Sequence, residues 1–184
     1  MEKFDLVDLQ DNIIGETDKL TSHQNGDLHR VVAIFVFNQK GELYLQEHIK
    51  SGGLFDHSVG GHVTKGENYD DAAKREGFEE LSLNCPLNKV SIFYSDETYT
   101  GKQIRHIFAI YECIPTKDWE FIANDEVKTI IPMKIKDIIN LMNTEPTKFT
   151  PGFLNTMREY ISQKQLPFIL KDYTKEHLNY PILK

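Results

Sequence analysis

The sequence reads as one domain of the α/β class, and three features lead to that reading. Its 184 residues are 40% hydrophobic and include 11 Phe, 8 Tyr and 1 Trp, which suits one sizeable core better than two. The run Val31-Val32-Ala33-Ile34-Phe35-Val36-Phe37 is apolar on both faces, as a central strand covered from both sides must be. Two segments open with helix start signals. Asn68 precedes a helical stretch reaching about Leu81, and Thr150-Pro151 precedes Phe153, Leu154, Met157, Tyr160 and Ile161 at helical spacing.

The remaining elements follow in chain order. Phe4 to Leu9 alternates as a strand, and Asp11-Asn12 before Ile13-Ile14-Gly15 predicts a hairpin back. A polar loop is expected around Gln24-Asn25-Gly26-Asp27. After the central strand, Asn38-Gln39-Lys40-Gly41 turns the chain into a second strand at Glu42 to Gln46. The stretch from Ser51 to Gly66 is Gly-rich and carries no clear element. Strand signals return at Val90 to Tyr94 and Ile104 to Cys113, on either side of Thr100-Gly101-Lys102, and again at Val127 to Met133. A helix is expected at Ile135 to Met142. The tail from about residue 167 to 184 is too mixed to assign, and the whole chain, 1–184, is read as a single domain.

Composition removes several classes of function. With 28 Asp and Glu against 21 Lys and Arg, the net charge of -7 disfavours general nucleic-acid binding. Met1 to Gln10 carries Glu2, Asp5 and Asp8 and so lacks the basic start of a signal peptide. No apolar run approaches membrane-spanning length. Cys85 and Cys113 have neither CxxC spacing nor the density of a disulfide framework. A cytoplasmic protein without membrane contact is expected, and a homodimer is left open.

The chemistry is concentrated between residues 61 and 83. On a helix Glu76, Glu79 and Glu80 fall at i, i+3 and i+4, so the three carboxylates share one face. Like charges at that spacing cost about 0.2 to 0.5 kcal/mol per pair. Arg75 is the only basic residue in reach, four before Glu79 in the less favourable order. The segment is therefore either a solvated charged face or a seat for a hard divalent cation, which binds carboxylate oxygens together with water and phosphate oxygens.

The wider pattern separates these two. Gly61, Glu67, Arg75, Glu76, Glu79, Glu80 and Leu83 fall in register with the Nudix box, G-x5-E-x7-R-E-U-x-E-E-x-G-U with U aliphatic. Chance agreement at its six Gly, Glu and Arg positions is on the order of one in 10^5 at ordinary residue frequencies. The chain thus resembles the Nudix hydrolases. That resemblance implies an α/β/α sandwich with a mixed β-sheet between helices, a Mg2+ or Mn2+ cofactor, and metal ligands at Glu76, Glu79 and Glu80. It also implies that Glu67 and Arg75 brace the loop against the helix. Two positions depart from the box. Gly77 stands where an aliphatic residue is usual, at a cost of about 1 kcal/mol relative to Ala in a helix. Ser82 replaces the closing Gly, so a left-handed cap there is expected to be strained.

Leu28-His29-Arg30, Phe55 to Val63 and Phe149 to Phe153 resemble the isopentenyl-diphosphate isomerase-like branch of the Nudix proteins. Isomerases of that branch use a cysteine where Gly60 stands and a glutamate near Gln103, and neither Gly nor Gln shuttles protons at neutral pH. His29 and His62 match histidines of the isomerases' extra metal site, and His23 matches a third after a one-residue shift. A structural or substrate-side role is expected of each. The function implied is hydrolysis of a diphosphate bond in a nucleoside diphosphate linked to another group, or in a related small phosphorylated metabolite. Glu79, Glu80 and Glu126 are the expected catalytic residues, with Glu126 a further ligand or the general base. Arg30, His62 and Lys65 are expected at the substrate, and Lys50 and Arg105 are further cations in range. A catalytically silent nucleotide-binding module and an isomerase are the competing readings.

Overall fold

The computed structural model describes residues 2–48, 52–99, 101–125, 127 and 129–171. The chain opens with the expected hairpin, β1 (Lys3–Val7) and β2 (Ile13–Asp18), paired antiparallel from Lys3↔Asp18 to Val7↔Ile13. Asp8 closes its turn by accepting from the amides of Gln10 and Asn12, both at 2.9 Å. A short helix, α1 (Lys19–Asn25), then occupies part of what reads in sequence as a polar loop. Asp18 caps it, accepting from the amides of Leu20 and Thr21, and Gly26 ends it at φ 67°. Seven residues are too few for a readable apolar period, and so the cap was its only signal.

The central strand is β3 (His29–Val36). It is followed by β4 (Glu42–His48), β5 (Leu54–Asp56) and β6 (Val59–His62), the last two lying within the Gly-rich stretch. After α2 (Tyr69–Leu81), the long hairpin β7 (Asn88–Tyr99) and β8 (Lys102–Cys113) returns the chain to the centre. The main sheet runs β2-β1-β3-β8-β7, with β6 also paired to β3. It is mixed, because β3 and β8 are parallel from His29↔His106 to Val36↔Cys113 while β6 is antiparallel to β3. A second sheet, β5-β4-β9, is completed by β9 (Ile130–Lys134) and leads into α3 (Ile135–Thr144) and α4 (Pro151–Gln163).

Alternation along β3 divides the core into two layers. Val32, Ile34 and Val36 pack with Ala72, Ala73 and Leu81 of α2, whereas Phe35 packs with α3 and α4 through Ile138, Met142, Phe153 and Met157. The result is the expected α/β/α sandwich. Gly77 faces Ile34 and Leu83, and a Cβ there would lie 3.4 Å from the Cδ1 of each, at the near edge of ordinary contact. Ser82 adopts the left-handed cap at φ 50°, with its amide bonded to Phe78 O and that of Leu83 to Gly77 O. The described start of the tail is tied to α3 and α4, because Asn143 bonds Ile169 O and the Lys171 amide while Arg158 bonds Lys171 O. Among the described residues no helix is long and apolar enough to cross a membrane.

Candidate functional site

Two polar centres lie back to back on β6. The first is built on α2. Glu76 is buried at 9% exposure, and its carboxyl rests directly on the backbone of Gly61. Arg75 Nη1 reaches Glu76 Oε1 at 2.7 Å and Glu79 Oε2 at 3.2 Å. Its other nitrogens bond Glu67 at 3.0 and 2.8 Å and the carbonyl of His62 at 3.0 Å. Arg75 thus clamps the loop after β6 to the helix and balances the acidic cluster. Burial opposes ionisation of Glu67, yet bonds from Arg75 and Thr64 hold its carboxyl below the usual range. Burial raises the Glu76 carboxyl above that range, against the pull of Arg75.

Glu80, also buried, accepts a hydrogen bond from Gln46 Nε2, which in turn donates to Ser58 O at 2.7 Å. Glu79 is half exposed at 51%. Asn124 bonds the carbonyls of Glu80 and Glu79 at 2.8 and 3.4 Å, and its Oδ1 accepts from the Val127 amide, fastening that loop to the end of α2. Three neighbouring carboxylates, two of them buried, with one arginine between them, are a donor set that fits Mg2+ or Mn2+. Glu126 lies outside the described residues, as does Lys50.

The second centre was only partly legible in the sequence. His23 of α1, His29 of β3, His62 of β6 and His106 of β8 converge so that one ligand atom from each lies within 4.8 Å of the others. The rings of His29 and His62 stack with centroids 5.2 Å apart, and His106 meets His29 edge-on with centroids 4.7 Å apart. His29 Nδ1 lies 2.8 Å from Asp27 O and so carries the hydrogen, which leaves Nε2 as a bare lone pair. That atom, His23 Nε2 and both nitrogens of His106 are buried without a hydrogen bond. Burial pushes His29 and His106 down to about 3 and lowers His62 and His23 as well. Four converging neutral imidazoles, three of them with buried unpaired nitrogens, fit a borderline transition-metal ion, for which nitrogen donors are suited.

A cavity of about 240 Å³ adjoins this cluster, bounded by Gly60, Phe108, Ile104, Tyr99 and the Pro151-Gly152 start of α4. Glu97 borders it, with its side chain 8% exposed and Oε1 3.8 Å from His106 Nδ1. Burial and the charge of Asp56 push the Glu97 carboxyl up to about 8, against the pull of His57. His57 bridges Asp56 Oδ1 at 2.7 Å and Thr156 Oγ1 at 2.6 Å. Neither cysteine lines this cavity, because Cys113 and Cys85 belong to the core on the α2 side.

The expected substrate residues are dispersed. Arg30 is engaged by Asp11, through Oδ1 and the carbonyl at 2.6 Å each, and lies over the Tyr69 ring. Lys65 is exposed and ion-paired with Glu16. His62 belongs to the imidazole cluster, Arg105 donates to Gly26 O, and Gln103 bonds Asp96 on the surface.

The model of the NUDIX domain matches residues 27–153, and the chain belongs to that family. An isopentenyl-diphosphate Delta-isomerase 2 of Photorhabdus laumondii is 38% identical over 157 residues, covering 80% of this chain and 86% of that protein. An uncharacterized Nudix hydrolase of Nostoc sp. is 29% identical, covering 80% of this chain and 90% of its own length. Among solved structures, DR0079 from Deinococcus radiodurans superposes with a TM-score of 0.67 at 22% identity, covering 86% of this chain and 98% of that one.

Proposed function

We propose that this chain is a metal-dependent hydrolase that cleaves the phosphoric anhydride bond of a nucleoside diphosphate linked to another group, or of a related small phosphorylated metabolite. The carrying observation is the α2 centre: Glu76, Glu79 and Glu80 side by side, two of them buried, with Arg75 as counter-charge. A hard divalent ion bound there supplies positive charge at the diphosphate and eases loss of a proton from water. Gly61 fixes Glu76, Gln46 fixes Glu80, and to Glu126, on its place in the sequence, we give the role of general base. Arg30 and Lys65, held by Asp11 and Glu16, take no substrate role in this reading, and His62 is part of the imidazole cluster, which holds a second, transition-metal ion.

A second reading is isomerisation of a C5 diphosphate. It draws on the names of the relatives and on Glu97, a carboxyl pushed up to about 8 that lines the same cavity as Gly60. Against it, the cavity offers no thiol among its described residues. The test is to offer purified protein, with Mg2+ and a transition ion, nucleoside diphosphate conjugates, dinucleotides and isopentenyl diphosphate. Phosphate-bond cleavage of at least one conjugate, with isopentenyl diphosphate unchanged, is expected. Movement of the double bond would install the second reading, and tight binding without cleavage would point to a silent binding module.

A further inference from the structure

We infer that Glu97 is the positioning residue for His106, turning that imidazole toward an ion at the four-histidine cluster. The inference rests on the reading that the cluster binds a transition metal. A metal takes one nitrogen of an imidazole, and the other must give its hydrogen to an acceptor or remain buried and unpaired. His29 meets this requirement through the Asp27 carbonyl. His106 has no such bond, since both of its nitrogens are buried and unpaired, yet its Nδ1 faces Glu97 Oε1 across 3.8 Å.

The backbone explains why these two side chains meet. In the β7–β8 hairpin His106 is opposite Ser95 and Ile104 is opposite Glu97, so Glu97 and His106 are diagonal neighbours on one face of the sheet. Oε1 has room to close the remaining gap, because the other oxygen, Oε2, holds only a long 3.3 Å bond from Asn155. Closure gives Nδ1–H···Oε1 and assigns Nε2 of His106 to the ion. A carboxyl group buried at this position, with no cation bonded to it among the described residues, otherwise costs stability without return.

Chelator-stripped protein is titrated with Co2+, following the visible absorption that distinguishes nitrogen ligation, and then with Zn2+ in competition. Apo melting curves are recorded for every variant. We expect the wild type to bind one nitrogen-ligated Co2+ that His29→Ala abolishes. Glu97→Leu weakens that binding about 10- to 100-fold while the apo protein melts no lower than wild type. Glu97→Gln, whose amide oxygen still accepts from Nδ1–H, loses less than Glu97→Leu. Affinity within twofold of wild type in Glu97→Leu overturns the inference. So does a loss of affinity matched by a lowered apo melting temperature, which marks Glu97 as a structural tie to α4. A wild type without any nitrogen-ligated Co2+ spectrum removes the metal reading of the cluster itself, and the inference with it.

Discussion

Gly61 and Glu76 occupy one space between them: a Cβ on Gly61 would sit 1.9 Å from the carboxyl carbon of Glu76. The overlap falls on the far end of the Glu76 side chain, so relieving it means moving that carboxyl. The absence of a side chain on β6 is therefore what allows the α2 carboxylate to lie where it does. Gly61→Ala is expected to cost about 1 to 3 kcal/mol of stability, as overpacking does, and to displace Glu76. Thermal melts with and without Mn2+ would show both a lower apo melting temperature and a smaller increment on adding the ion. An unchanged increment would separate Glu76 from the metal site.

Glu79→Gln and Glu80→Gln should each lower turnover by at least about 100-fold, more than loss of a partner behind a ligand usually costs. The fold should survive, because neutralising one carboxylate relieves repulsion on α2. Activity and melting temperature are to be measured on the same samples. Full activity in both variants would remove these residues from the site.

Gln46→Leu should remove the Nε2 donor that Ser58 O and Glu80 share. A lost hydrogen bond costs about 0.5 to 1.5 kcal/mol, so a drop in stability is expected, accompanied by weaker Mn2+ binding in electron paramagnetic resonance titrations. Wild-type Mn2+ affinity in this variant would show that Glu80 needs no such support.

The imidazole cluster gives the metal-free protein an acid-sensitive stability. His29 and His106 are held at about 3 in the fold, mainly by burial, below the ordinary value of 6.5. The unfolded chain therefore binds more protons between about pH 6.5 and 3. The cluster's contribution is complete above 6.5 and falls away as the pH drops through that window. His106→Leu should flatten the acid arm of a plot of melting temperature against pH. A variant curve that runs parallel to the wild type's would falsify this account.

Local signals made much of the architecture legible. The cap at Asn68, the Thr150-Pro151 start and the two-sided apolar run of β3 depend on near neighbours, and the structure has all three. The same holds for the carboxylates of α2, which lie within one turn of each other. Helix α1 was missed because seven residues hold no period, and β5 and β6 because glycines obscure alternation. The imidazole cluster is a product of pairing. His106 stands beside His29 only because β8 runs parallel to β3 in that register, and no spacing within the chain encodes it. Glu97 was invisible for a related reason, its meaning depending on which residue of β8 lies diagonally across from it.

Strand β6 carries Gly61 toward α2 and, one residue later, His62 toward the imidazole cluster. Adjacent residues of a strand face opposite ways, so a slip of one position would drive an imidazole into Glu76 in one direction or leave a bare backbone among the histidines in the other. Both centres therefore share a single mechanical reference. Mutations elsewhere that tilt or shift this four-residue strand should alter the two together, and a lineage that abandons one centre is under no less pressure to keep the strand in place for the other.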